Sequence, residues 1–436
     1  MLQTIKKNLP KPVKNLLISI KQKTYYQRQK KILFKRMQLK HAALLQKIKD
    51  KDKDKDKDKD KDKIKVVFLA IHKSMWKVDP VFQKMLIDPL FEPEILVCPY
   101  TDYGDERMLK DMKQTYHYFV EKGYPVRKSL KQDGSWIKLD EIKPDIVFFT
   151  NPHDLTHTEY YENAYLNYLS CYVPYSQGVS KYDNYNAQYN QRFHNAMWRI
   201  FLPHDESLEI FIRKSASKGK NGLVTGYPSC EEFFNLKKES PWKYNDKLKV
   251  IWAPHHTIND PWLPYANFLG LADNFKELSK KYSRDINFSF KPHPILKSKL
   301  YQHPQWGKEK TDTYYEFWNN SSNTQLDEGE YIELFKHSDA MIHDSGSFLA
   351  EYHCVKKPVF YICTDEIKAY LNPFGIKAMN STYQGESIDD IEFFINELIN
   401  KNVKPNNSFF DQEIKRYFSG AKPSSKIIDN IRELVL

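Results

Sequence analysis

A chain of 436 residues is too long for one ordinary domain, and two α/β domains of about 150–200 residues each are expected. The net charge of +11 is concentrated: residues 1–50 hold fourteen Lys or Arg against one acid, Asp50, a surplus of +13, so the other 386 residues carry −2. That near-neutral body argues against a basic groove and nucleic acid as a partner, and no run of about 18 apolar residues is present to span a membrane.

Residues 1–49 mix lysines with apolar side chains. Val13, Leu16, Leu17 and Ile20 have helical spacing, and Ile32, Leu33 and Met37 follow. Such a basic amphipathic helix reads either as an element lying on an anionic membrane surface or as an extension packed on the body or on a second copy. The N-terminus lacks the apolar core and cleavage site of a secretory signal, so a cytoplasmic protein, peripheral at the cytoplasmic face of the membrane, is expected. Residues 50–63 include six Lys-Asp repeats with no apolar face, and are expected to form a solvated spacer.

From Ile64 the pattern turns into alternating strands and helices. Apolar runs start with Ile64–Ile71 and recur at 94–98, 145–150, 171–174, 198–202 and 223–225, with helical stretches at 106–122, 159–169 and 206–215. This alternation predicts parallel strands joined by crossover helices over residues 64–227. The polar segment 228–246 reads as an interdomain linker. A second series fills 247–436, with strands at 248–253, 286–290, 340–343 and 358–362 and helices at 263–282, 330–337, 347–354, 387–400 and 424–435. The last helix is a candidate to pack back on the first domain. Two Rossmann-like domains facing each other make a cleft, the usual place for substrate. Five scattered cysteines (Cys98, Cys171, Cys230, Cys354, Cys363) show no metal spacing and read as buried, reduced thiols.

Two strand ends of the second domain carry the chemistry. Phe290-Lys291-Pro292-His293-Pro294 puts a cation and an imidazole after an apolar run, with prolines holding the backbone extended. Lys291 is a candidate charge stabiliser and His293 a donor to a diphosphate or a leaving group. Ala340–Ile342 runs into Asp344-Ser345-Gly346-Ser347, a strand-to-helix turn whose free N–H groups suit phosphate. Asp344 opens that turn, either with a catalytic role or as a helix cap, and Glu351 lies one helical turn beyond Ser347, positioned to accept from a ribose. His255 and His256 end the first strand of the same domain and are candidate phosphate or base contacts; adjacent side chains are expected to diverge, so no metal is expected. In the first domain Pro174-Tyr-Ser-Gln177-Gly178 is a strand end facing the cleft, with Gln177 placed to orient an acceptor. His153, His157 and His204 are candidates for a general base.

These motifs together resemble the CDP-glycerol glycerophosphotransferase family of teichoic-acid and capsule polymerases and primases. The resemblance rests on Trp252-Ala-Pro254, Lys291-x-His-Pro294, the Ser338-Asp-x-x-Ile-x-Asp-x-x-Ser347 run, Lys357-Pro-x-x-Tyr361 and Val224-Thr-Gly-Tyr-Pro228, across roughly residues 145–365. It implies a GT-B fold, an essential donor-side role for His293 on the leaving phosphate, and a phosphate loop holding Ser345 and Ser347. Two departures are visible. The family's typical Asp-Tyr-Ser-Ser turn is Asp344-Ser-Gly-Ser347 here, which also resembles the Asp-Ser-Gly-Gly of UDP-N-acetylglucosamine 2-epimerases. Its acceptor-side His before Gly is Gln177. The expected function is transfer of a polyol phosphate from a CDP-activated donor to a cell-surface glycan or teichoic-like acceptor, without a cofactor. The alternatives are a nucleotide-sugar glycosyltransferase or 2-epimerase-like enzyme, and a non-catalytic surface-polymer-binding protein.

Overall fold

The computed structural model describes residues 11–53, 63–260 and 263–436, with side chains in the first segment from Gln22 to Asp50. The seven strands β1 (Ile64–Ala70), β2 (Phe91–Val97), β3 (Val126–Lys128), β4 (Ile146–Phe149), β5 (Leu169–Tyr172), β6 (Arg199–Leu202) and β7 (Gly222–Val224) form one parallel sheet in the order 3-2-1-4-5-6-7. Six more, β8 (Leu248–Ala253), β9 (Ile286–Phe290), β10 (Thr324–Leu326), β11 (Ala340–His343), β12 (Val359–Ile362) and β13 (Tyr383–Gly385), pair in the order 10-9-8-11-12-13. Each sheet therefore reverses its strand order once, between β1 and β4 and between β8 and β11. Ligands of open parallel sheets bind at such reversals, beyond the carboxyl ends of the strands.

Strand alternation builds a core on both faces of each sheet. In β1, Val66, Phe68 and Ala70 face one core, Val67 and Leu69 the other. In β8, Val250 and Trp252 pack with aromatic side chains of helices at 268–281 and 307–320, while Ile251 and Ala253 point to the opposite layer. The unanticipated strands β3, β10 and β13 have three residues each and sit at sheet edges, too short to show a period. The helix Gly307–Asn320 was also unanticipated, although its buried Thr311, Tyr314, Tyr315 and Trp318 do have helical spacing.

The basic N-terminal segment is one helix, α1 (Lys11–Lys53), which runs into the Lys-Asp repeat; residues 54–62 of the expected spacer lie outside the described residues. The side chains of Val13, Leu16, Leu17 and Ile20 also lie outside them. Further along, α1 is part of the body. Leu33, Phe34 and Met37 are buried, Ile48 joins the core beneath β1, and Lys40 donates to Asn167 Oδ1 (2.7 Å). Tyr25, Tyr26, Ile32 and Leu39 stay exposed on the same helix.

The segment 228–246 is packed at its start and at Trp242, while residues 234–239 and 243–246 are exposed. Cys230, Glu231, Phe233 and Trp242 are buried, and Glu231 accepts from Ser424 N (2.5 Å) and Ser424 Oγ (2.8 Å). Ser424 opens the last helix, Pro423–Val435, whose Ile427, Ile431 and Val435 lie in the core beneath β1. Among the described residues no helix is long and apolar enough to cross a membrane.

The carboxyl edges of the two sheets face each other. After β5, residues 177–181 meet residues 370–375 beyond β12: Asn372 N donates to Val179 O (2.9 Å), Asn372 Nδ2 to Gly178 O (2.6 Å), and Lys181 N to Tyr370 O (2.7 Å). A Cβ at Gly375 would lie 2.4 Å from Val179 O, so the close approach depends on glycine there. Gly375→Ala is expected to destabilise the protein by about 1–3 kcal/mol, read as a lower urea midpoint.

Candidate active site

At the reversal between β8 and β11 the chain leaves β8 through Pro254 into His255 and His256, and leaves β11 into Asp344. Asp344 is 1 % exposed. One of its oxygens accepts from His255 N (2.6 Å), the other from Asn267 N (2.6 Å). Burial pushes the carboxyl up to about 6, against the pull of those N–H groups. Asp344 is thus neither a helix cap nor a group open to substrate, contrary to both expectations. It joins the ends of β8 and β11 to the start of the helix Phe268–Lys281.

The clamp gathers His255, His256 and His293. Ring centroids are 4.4 Å apart for 255–256, 4.1 Å for 256–293 and 5.2 Å for 255–293. The expectation that adjacent histidines diverge fails because both have left the strand, where alternation would have separated them. The three rings bring ligand-type atoms within 4.8 Å of one another, a spacing that also suits a metal ion. The tautomer of His293 favours an anion instead. Its Nδ1 accepts from Ile295 N (3.2 Å), which places the proton of the neutral ring on Nε2 and makes that nitrogen a donor. His255 is held in turn by its Nδ1 against Thr257 Oγ1 (3.0 Å). Burial, then mutual repulsion, pushes His255 and His293 well below the usual imidazole range; burial and the Lys299 charge take His256 down to about 4.

Lys291 does not serve this cluster as expected. Its ammonium is buried and donates to Asp327 O (3.0 Å) and Gly329 O (2.8 Å), tying down the loop after β10, and burial pulls it to about 8. The cation whose charge reaches all three rings is Lys299, on the short helix Leu296–Gln302. The sequence reading missed it. Its signal was position alone, one and a half helical turns beyond His293.

The turn at 345–347 is where the sequence put it, opening the helix Gly346–Glu351. Ser345 is buried with its N–H on His343 Nδ1 (3.1 Å). Gly346 is roofed: a Cβ there would lie 3.4 Å from the Tyr265 ring and 3.6 Å from Val179 of the facing domain. Ser347 is half-exposed. Glu351 is not on the ligand side. It is 1 % exposed and accepts from Tyr331 OH (2.5 Å), which in turn receives Lys77 from the facing domain (2.9 Å), so its expected ribose contact gives way to an interdomain bridge. His343 Nε2, Tyr361 OH and His256 Nδ1 are buried here without hydrogen-bond partners among the described residues. His343 was overlooked as a site residue although it directly precedes Asp344.

On the facing domain Gln177 is buried, its amide on Cys230 Sγ (3.3 Å) and its carbonyl accepting from His204 Nε2 (2.7 Å). Packing thus removes it from acceptor contact. His204 is also removed as a base: its Nδ1 caps the helix Asp205–Lys214 at Ser207 N (3.1 Å) and its ring stacks on Phe374 at 3.6 Å. His157 packs on Trp136 at 4.5 Å. His153 lies beyond β4, lining a small cavity of about 30 Å³ with Tyr175, Ser176 and His194.

The sequence profile of CDP-glycerol:poly(glycerophosphate) glycerophosphotransferases matches residues 175–431, more than half of the chain. The chain belongs to this family. None of the curated proteins matches. Among solved structures the chain is similar to the S. aureus MnaA–UDP co-structure (16% identity, 85% of this chain and 96% of that one, TM-score 0.54). It is also similar to UDP-GlcNAc 2-epimerase of Methanocaldococcus jannaschii in complex with UDP-GlcNAc and UDP (14%, 85% and 99%, 0.52), and to that of Rickettsia bellii (13%, 86% and 97%, 0.54). At such identities these likenesses show the shared GT-B fold alone.

The glycerophosphotransferase fold also carries fully buried imidazoles outside this cluster, and they set its acid stability. Burial pushes His194, His204 and His343 each down to about 3. The unfolded chain protonates them near 6.5, so below that pH it binds more protons than the fold and stability falls as pH drops. Asp344 and Glu232, raised to about 6 and about 7, act in the opposite sense with Asp154, Glu231 and Glu351, but are outnumbered once the lowered His41, His153, His255, His256, His293 and His353 are added. Each buried imidazole is expected to cost roughly 1 kcal/mol at pH 5.5. The urea midpoint should therefore be lower at pH 5.5 than at pH 7.5; a higher one would refute the assignment.

Proposed function

We propose that the protein transfers a polyol phosphate from a CDP-activated donor to a hydroxyl of a cell-surface glycan or teichoic-like acceptor. The observation that carries this reading is the convergence of His255, His256 and His293 at the β8/β11 reversal, with the proton of His293 held on Nε2. Three neutral imidazoles beside Lys299 are poised to donate to a diphosphate. Once the phosphates arrive, their negative charge favours the imidazolium, so donor binding itself loads the acid. The acceptor oxygen attacks the polyol-bearing phosphorus, the bond to the bridging oxygen breaks, and CMP leaves with that electron pair and a proton from His293. Ser347 and Lys299 stabilise charge on the transferring group. His153 is the acceptor-side imidazole at hand for the hydroxyl proton. The second reading, a UDP-sugar enzyme, draws support from the shared fold and from the Asp344-Ser-Gly-Ser347 turn.

Incubation with CDP-glycerol, CDP-ribitol and UDP-sugars decides between them. CMP release from a CDP-polyol is expected, and UDP release alone would sink the polyol-phosphate reading. His293→Ala should lower kcat about 100-fold or more while nucleotide binding persists. Unchanged turnover would instead favour a non-catalytic polymer-binding role.

The membrane partner is an anionic lipid surface met by the free face of α1. Tyr25, Tyr26, Ile32 and Leu39 are exposed there among Lys23, Arg28, Lys31 and Lys35. Because Leu33, Phe34 and Met37 belong to the core, the test keeps the helix. Replacing Lys23, Lys31 and Lys35 with Glu is expected to abolish co-sedimentation with phosphatidylglycerol vesicles. Undiminished binding would rule this surface out.

A further inference from the structure

The body's charge of nearly zero conceals a local concentration of cations. The helix Asp105–Glu121 presents Lys110, Lys113, Gln114 and His117 at helical spacing along one stripe, and Lys73 joins them from the loop after β1. Together they line a groove of about 450 Å³. Among the described residues none of Lys73, Lys110 and Lys113 is held in an ion pair, whereas the helix's buried acid, Asp111, is taken by Arg107 (2.8 Å). Glu121 of the same helix lines the groove, and Glu330 of the other domain, Asp79 and Glu232 act on its Tyr118.

The groove lies beside the interface between the two domains. Lys73 follows β1 at the first sheet's own strand reversal, where a ligand is expected. Lys77, four residues after Lys73, donates to Tyr331 OH of the facing domain (2.9 Å), and the neighbouring Glu330 acts on Tyr118 of the groove.

We propose that this groove is a track for a phosphodiester polymer, the growing acceptor, whose end reaches the cleft. The proposal rests on the transferase reading above and adds where its acceptor lies. A single phosphate calls for donors converging on one point, as the three histidines do. Cations strung along a helix suit a ligand with several separated negative charges, attracted over a distance and weakened by salt.

The test uses the full chain, fluorescent poly(glycerol phosphate) as probe, and polarisation across a salt series. Lys110→Glu/Lys113→Glu is expected to weaken binding at least tenfold at low salt. Lys110→Gln/Lys113→Gln should weaken it less and lower the slope of log affinity against log salt by about 2. CDP affinity measured on the same samples reports folding. Wild-type-like polymer binding by both variants would overturn the proposal. So would a loss confined to phosphatidylglycerol vesicles, which would make the stripe a membrane contact. Lysine-dependent polymer binding without CDP-polyol turnover would keep the track while rejecting the proposed reaction.

Discussion

The donor half of the cleft depends on the buried carboxyl of Asp344. Its two oxygens take N–H groups from His255, at the end of β8, and from Asn267, just before the helix that covers the sheet. Without it two buried amides would lose their partner, at roughly 1–3 kcal/mol each, and the turn that brings His255 and His256 over His293 would be unanchored. A charged group so deeply buried is costly by itself, and the raised pKa records that cost. The fold accepts it because no apolar residue could accept hydrogen bonds from a strand end and a helix start at once.

Charge in this protein is arranged at two scales. Close to the reaction the groups are kept neutral: three imidazoles with depressed proton affinity beside one ammonium, Lys299. Such a site has little charge of its own, which is why the proposed reaction has the diphosphate itself favour the imidazolium. Farther out, lysines on the helix 105–121 and on α1 face solvent, where cations cost little and act at a distance. Lys291 shows the third use of a lysine, as a buried tether with its charge turned onto backbone carbonyls.

Much of the architecture was legible because both sheets are buried on two faces, which writes their central strands as continuous apolar runs. β8, β9 and β11 fall at the residues the pattern indicated, and so does the 344–347 turn. Three-residue edge strands left no such mark. The site was legible by location and less so by role. His255, His256 and His293 do come together, while Lys291, Asp344, Glu351 and Gln177 are consumed by structural bonds that no spacing rule reveals. Lys299 and His343 take places that were assigned to others.

The sequence alone therefore determined the α/β alternation, the two-domain plan, the separation of the basic N-terminus from a neutral body, and which strand ends carry histidine. Those properties are local: each follows from hydrophobic period, turn residues or charge within a short window. Tertiary structure decided which polar groups remain free. That depends on what is packed opposite, as when Cys230 takes the Gln177 amide, Tyr331 takes Glu351, or two backbone amides take Asp344. A side chain's chemistry is set by its residue type, but its availability is set by partners distant in sequence, and only the folded chain brings those into reach.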